Sequence, residues 1–146
     1  MTIDVQFTIP NVEDYCNLRK VCGLSEKSRS AAQKGLNGAC FTVTLYDADR
    51  LIGLGRVIGD GGTAFQIIDI AVHPNYQGQG YGKTVMTHIM NYIDSVRLPG
   101  TYVSLIADYP ADQLYKQFGF KSTEPHSGGM FLHFPVTVSY THLTLP

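Results

Sequence analysis

The sequence predicts one mixed α/β domain, a mostly antiparallel sheet flanked by helices. Three stretches carry that expectation: a strictly alternating N-terminal segment, an almost continuously apolar run at 65–72, and a helical apolar stripe that begins near residue 81. The chain has 146 residues, 44% hydrophobic and 16% charged, which suits one core and disfavours two independent ones.

Residues 2–10 alternate Ile3, Val5, Phe7 and Ile9 against Thr2, Asp4, Gln6 and Thr8, the period of a half-buried strand, and Pro10 ends it. Asn11 is placed to cap a helix whose apolar positions Val12, Tyr15, Leu18 and Val21/Cys22 recur at three- and four-residue spacing until Gly23. A more polar stretch, 25–34, reads as a second short helix ended by the glycines at 35 and 38. Residues 39–46 and 51–58 form a hairpin across Asp47-Ala48-Asp49-Arg50. Asp60-Gly61-Gly62 allows the next reversal, into a strand at 65–72 that only Gln66 and Asp69 interrupt, as expected of a strand buried on both faces. From 81 to 94 the stripe Val85, Met86, Ile89, Met90, Ile93 defines a helix that packs on the sheet. Residues 102–107 read as a strand and 111–118 as a short helix stopped by Gly119. Residues 120–121 and 130–134 read as final strands around Gly128-Gly129.

With 11 Lys+Arg against 12 Asp+Glu the formal net charge is −1, so no chain-wide basic field favours nucleic acid or an anionic membrane. No apolar run approaches the roughly 20 residues a membrane span needs, and residues 1–4 do not begin a secretory signal. The expectation is a cytoplasmic protein. Cys16, Cys22 and Cys40 are odd in number and form no C-x-x-C pair, so neither a disulfide framework nor a zinc site is expected. Residues 138–146 read as translated adapter sequence, which leaves 1–137 as the domain.

The strongest chemical signal is Gln77-Gly78-Gln79-Gly80-Tyr81-Gly82-Lys83-Thr84, between a buried strand and an amphipathic helix. Such a turn aims successive backbone N–H groups and the positive end of a helix at one point, which suits a phosphate or pyrophosphate. A dinucleotide fingerprint requires G-x-G-x-x-G, but Gly82 comes one position early. A P-loop is met at Gly82-Lys83-Thr84, but its first glycine falls on Gln77. A plain strand-to-helix turn does not require three alternating glycines.

Gln77-x-x-Gly80-x-Gly82 resembles the pyrophosphate loop of the GNAT superfamily of acetyl-CoA-dependent N-acetyltransferases. Upstream, Asp69-Ile70-Ala71-Val72-His73-Pro74 resembles the strand that precedes that loop. Downstream, Ala111-x-x-Leu114-Tyr115-x-x-x-Gly119-Phe120 resembles the family's second signature. The likeness covers nearly the whole chain outside the last residues. It includes a finer similarity, at Arg56, Asp60-Gly61, 106–108 and 129–131, to bacterial and chloroplast proteins like arylalkylamine N-acetyltransferases.

The resemblance implies a sheet splayed at its centre and transfer of acetyl from acetyl-CoA to a primary amine by direct attack, without a metal. Backbone N–H groups from Gly78 through Gln79, Gly80, Tyr81 and Gly82 to Lys83 would bind the pyrophosphate, with the Thr84 hydroxyl as an extra donor. The pantetheine arm would lie along Ile70, Ala71 and Val72 like an added strand. A backbone N–H near Val72 would face the thioester oxygen as charge develops on it. Tyr115 matches the family's general acid, since a phenol with pKa about 10 can protonate a departing thiolate; its place in the motif favours that role over a core tyrosine that packs its helix on the sheet. Asp108 stands where the family often has an asparagine that holds the cofactor arm.

Asp69 is an acid within an apolar strand, so its carboxylate needs a partner. Either a substrate ammonium, whose proton it would accept, or Arg56 on the neighbouring strand meets that need. His73, His88 and His126 are isolated and carry no chemistry by themselves. The expected acceptor is a small amine, an arylalkylamine or polyamine. A protein lysine or N-terminus, and a non-catalytic acyl-CoA-sensing module, are the competing readings. A homodimer is compatible with the resemblance.

Overall fold

A computed structural model describes residues 2–136; the expected tail lies outside them. Its five strands are β1 (Ile3–Gln6), β2 (Phe41–Asp47), β3 (Arg50–Gly59), β4 (Ala64–Val72) and β5 (Tyr102–Ser104), ordered in space as in sequence. Neighbours are antiparallel from β1 to β4, and β4–β5 is parallel. The helices are α1 (Val12–Val21), α2 (Arg29–Asn37), α3 (Tyr81–Val96) and α4 (Asp112–Lys116). The mixed α/β class and the flanked sheet match the sequence reading.

Local chemistry explains most boundaries. The Asn11 side chain accepts from the N–H groups of Glu13 (2.7 Å) and Asp14 (3.3 Å), so α1 starts where a capping residue satisfies its first donors. Ser28 does the same for α2 through Ala31 N at 3.2 Å, which moves that helix three to four residues beyond the expected 25–34. Gly35 lies inside α2 and does not end it. The β2–β3 hairpin closes at the expected place, with Ala48 taking a positive φ of 54°.

The sheet is buried on both faces. Val43, Leu45, Ile52, Val57, Phe65 and Ile67 meet Val85, Met86, Ile89 and Ile93 of α3 in the larger core. Leu51, Leu54 and Ala71 meet Val12, Tyr15, Leu18, Ala32 and Leu36 of α1 and α2 in the smaller one. Helix α3 packs tightly on the sheet at Gly55, where a Cβ would stand 2.5 Å from Val85 and 2.8 Å from Ile89.

Two features of β4 position the site. Leu54 pairs with Ala71 and Arg56 with Ile68, so Asp69 and Ile70 together oppose Gly55 alone, a bulge that shifts the facing of every later residue. On the other edge, β4 pairs with β5 only at Ala64, Phe65 and Gln66. Beyond Gln66 the two strands part, which shortens β5 from the expected 102–107 to three residues. The expected strands at 120–121 and 130–134 are not formed: these residues join no ladder, and Met130, Phe131, Leu132 and Phe134 are exposed.

Candidate active site

The opening between β4 and β5 leads toward the glycine turn. A short 3-10 turn, Pro74–Tyr76, carries the chain from β4 to Gln77, whose side-chain amide donates back to Val72 O at 2.9 Å. Gly78 and Gly80 have φ of 79° and 87°, the left-handed region open to glycine at little cost. A Cβ at either would meet nothing within 4 Å, so these glycines serve the backbone path and leave open space in front of it. Helix α3 begins at Gly80 with no side-chain cap, leaving its first N–H groups free for an outside acceptor. Gly82 has a different reason: a Cβ there would touch Leu114 of α4 at 3.4 Å. The Thr84 hydroxyl donates to Gly80 O at 3.2 Å, at the start of α3.

This geometry fits a pyrophosphate with an extended arm: an uncapped helix start, open space before two left-handed glycines, and an unpaired strand edge from Ile67 to Val72. A glutamate at Gly80 would put a carboxylate in front of the uncapped helix start and force a side chain into the left-handed region. Gly80→Glu is expected to weaken coenzyme A binding about tenfold or more in calorimetry; unchanged affinity would exclude this turn as the phosphate site.

Tyr115 sits on α4, 8% exposed, against the larger core. It also borders a cleft of roughly 290 Å³ with Leu105, Ile106 and Ala107. Among the described residues its hydroxyl makes no hydrogen bond. Burial, and then the negative charge of Asp108, raise its pKa above the ordinary tyrosine value, which keeps the phenol protonated. Asp108 itself is exposed, and its carbonyl accepts from Ala111 N at 2.8 Å to open the α4 turn.

Asp69 answers the question its sequence position raised. It has φ of 60°, and the bulge turns it toward α1, where strict alternation would have set it beside Phe65 and Ile67. Its carboxylate accepts from Arg56 Nε at 2.8 Å, from the Tyr15 hydroxyl at 2.6 Å and from the Arg19 guanidinium. The guanidiniums are satisfied further by Gly35 O (2.8 Å) and Ser25 O (2.9 Å), and both lie over the Tyr15 ring. Three donors already occupy the two oxygens, and the side chain is 8% exposed. Of the two partners open to Asp69, the geometry supplies Arg56, joined by Arg19 and Tyr15, and these contacts tie β4 to β3 and α1.

Arg19 and Tyr15 were not recognised as polar partners from the sequence. The available signal was their spacing, which puts Arg19 one turn after Tyr15 on the buried face of α1. Tyr15 is raised to about 12, by burial first and then by the Asp69 charge. A phenol held neutral in the folded state stabilises it fully below the unfolded value near 10, and that stability is lost as pH rises through the folded value. Urea unfolding should show a loss of at most about 2–3 kcal/mol from this group between roughly pH 10 and 12; a flat profile there would separate Tyr15 from the network.

A mixed α/β domain with an uncapped, glycine-lined helix start, an open strand edge and a buried phenol is the arrangement expected of an acyl-transferring enzyme. A family model described as "Acetyltransferase (GNAT) domain" matches residues 37–122, and the chain belongs to that family. Acetyl-CoA use is general to it. A solved structure from methicillin-resistant Staphylococcus aureus, described as a protein of unknown function and "Probable Acetyltransferase", is 62% identical with a TM-score of 0.89, covering 91% of this chain and 100% of that one. A GNAT family protein from Streptococcus pneumoniae, 20% identical, shares the fold at a TM-score of 0.73 over 93% of this chain and 100% of that one.

Among curated relatives, the uncharacterized N-acetyltransferase ycf52 of Gracilaria tenuistipitata var. liui is 26% identical over 88% of this chain and 74% of its own length. That of Porphyra purpurea is 30% identical over 56% of this chain. The chain spans about half the length of the latter, 46%. Among the described residues no helix is long and apolar enough to cross a membrane.

Proposed function

We propose that this protein transfers acetyl from acetyl-CoA to the primary amine of a small molecule, by direct attack with donor and acceptor bound together. The observation that carries this reading is the opening of β4 from β5 beyond Gln66, which joins an unpaired strand edge to an uncapped, glycine-lined helix start. Backbone N–H groups from Gly78 to Lys83 would hold the pyrophosphate. The edge of Ile70, Ala71 and Val72 would hold the pantetheine arm by main-chain hydrogen bonds. The thioester supplies an acyl group activated toward an unprotonated amine.

In this reading Tyr115 delivers the proton that the departing thiolate needs, and its raised pKa keeps that proton available. Asp108 lies beside this path and supports the neutral phenol by its charge. The helices α1 and α2, locked to β4 through Asp69, form the wall on the acceptor side.

The direct test is thiol release from acetyl-CoA with a panel of arylalkylamines, polyamines and amino acids. Release that depends on the amine is expected, and dividing the panel identifies the acceptor class. Coenzyme A binding without release for any small amine would overturn the small-acceptor reading and favour a protein acceptor or a sensing role.

A further inference from the structure

On the face of the sheet that α1 covers, a second cleft of roughly 280 Å³ opens between α1 and the start of β3. Arg50, His73 and Asp14 form its polar rim over Leu18, Val21 and Leu51, and none of these residues borders the cleft beside Tyr115.

His73 is fixed at this rim by three contacts. Its backbone N–H donates to Ile52 O at 2.8 Å, its Nδ1 accepts from the Asn75 N–H at 3.1 Å, and its Nε2 stands 2.9 Å from Nη2 of Arg50. Burial, and then the Arg50 charge, lower its pKa below the ordinary imidazole value, so at pH 7 the ring is neutral and has a single accepting nitrogen. The Asn75 N–H and the guanidinium can only donate. Whichever ring nitrogen carries the proton, one donor is set against another, and the group is short of one acceptor.

The neighbouring carboxylates do not supply it. Asp47 pairs with Arg50 across the β2–β3 hairpin, but its carboxylate accepts from the Tyr76 hydroxyl, while Arg50 lies 6.0 Å from the centre of the Tyr76 ring. Among the described residues neither Arg50 nor Asp14 forms an ion pair, although both line this cleft. An excess of donors at one side, a lone carboxylate at another and an apolar floor between them call for a ligand that carries both charges. A phosphate would meet Asp14 with like charge. The volume is below the roughly 300–1,000 Å³ of sites for drug-sized ligands, which sets the scale of the occupant.

We propose that this cleft binds a free α-amino acid with an apolar side chain. Its carboxylate accepts from Arg50 and from the Nε2–H of His73, its ammonium pairs with Asp14, and its side chain rests on Leu18, Val21 and Leu51. An occupant in that pose braces α1 against the end of β4 that leads into the glycine turn.

Two-dimensional NMR of the isotope-labelled full chain, titrated with L-leucine in the absence of coenzyme A, tests this independently of any acyl transfer. The backbone N–H signals of Asn17, Leu51 and His73 should shift while that of Tyr115 stays in place, with half-saturation at about 10 mM or below for a ligand of this size. Arg50→Gln and Asp14→Asn, both at exposed positions, should each weaken binding at least about tenfold, the worth of one charged hydrogen bond, with far-UV circular dichroism unchanged. Isocaproate, which lacks the ammonium, should bind the parent at least about tenfold more weakly than leucine for the same reason. Absence of shifts at Asn17, Leu51 and His73 would overturn the proposal, and so would binding that survives both substitutions. A loss confined to Arg50→Gln, with isocaproate equal to leucine, would overturn it as well, because the cleft then takes a bare anion.

Discussion

Asp69→Ala is expected to cost about 3–5 kcal/mol of folding stability, the range found when one partner of a buried ion pair is removed. The carboxylate is the one anion between Arg19 and Arg56, whose side chains are 6% and 8% exposed. Its loss leaves two buried guanidiniums beside the Tyr15 ring without the carboxylate they share. It also removes the contacts that hold residue 69 at a φ of 60°, a conformation that costs of order 1–3 kcal/mol outside glycine. Equilibrium urea unfolding measures the effect. A loss below about 1 kcal/mol would mean that the cluster is surface-like in energy, and would reopen Asp69 as a group available to substrate.

Tyr115→Phe is expected to lower kcat by about 10²–10⁴-fold, the usual contribution of a placed general acid, with little change in coenzyme A affinity. The substitution removes one hydroxyl that has no hydrogen-bond partner among the described residues, so stability should change by less than about 1 kcal/mol. That separation of kcat from binding and from folding is what a merely structural tyrosine would not show. The direction of its pKa adds a second check. Because burial and Asp108 raise the phenol, its ionisation should not depress the parent's kcat below roughly pH 10. Equal turnover in parent and Tyr115→Phe would remove this residue from the reaction.

The parts of the site made by backbone were legible in the chain because they depend on local residue type. Only glycine takes the left-handed turn at 78 and 80 cheaply, so the turn announces itself, and the stripe from Val85 to Ile93 announces the helix that follows. Asn11 marked the start of α1 for the same reason. The second helix was misplaced because Gly35 looks like a stop. In three dimensions its carbonyl accepts from Arg56, and a Cβ there would approach the guanidinium at 3.7 Å. The final strands were expected from apolar content and turn residues alone, which do not supply a pairing partner; in the fold residues 130–134 join no ladder.

The sequence by itself determined the class of fold, the hairpin at 47–50 and the glycine turn before α3, since each follows from the conformational preference of a few adjacent residues. Tertiary structure decided the fate of Asp69. A bulge opposite Gly55 changes which way residue 69 faces, and bulges arise from the register between two strands, which no single strand records. It also decided where β5 leaves β4. That parting follows from pairing that stops at Gln66, a long-range register that neither strand records alone.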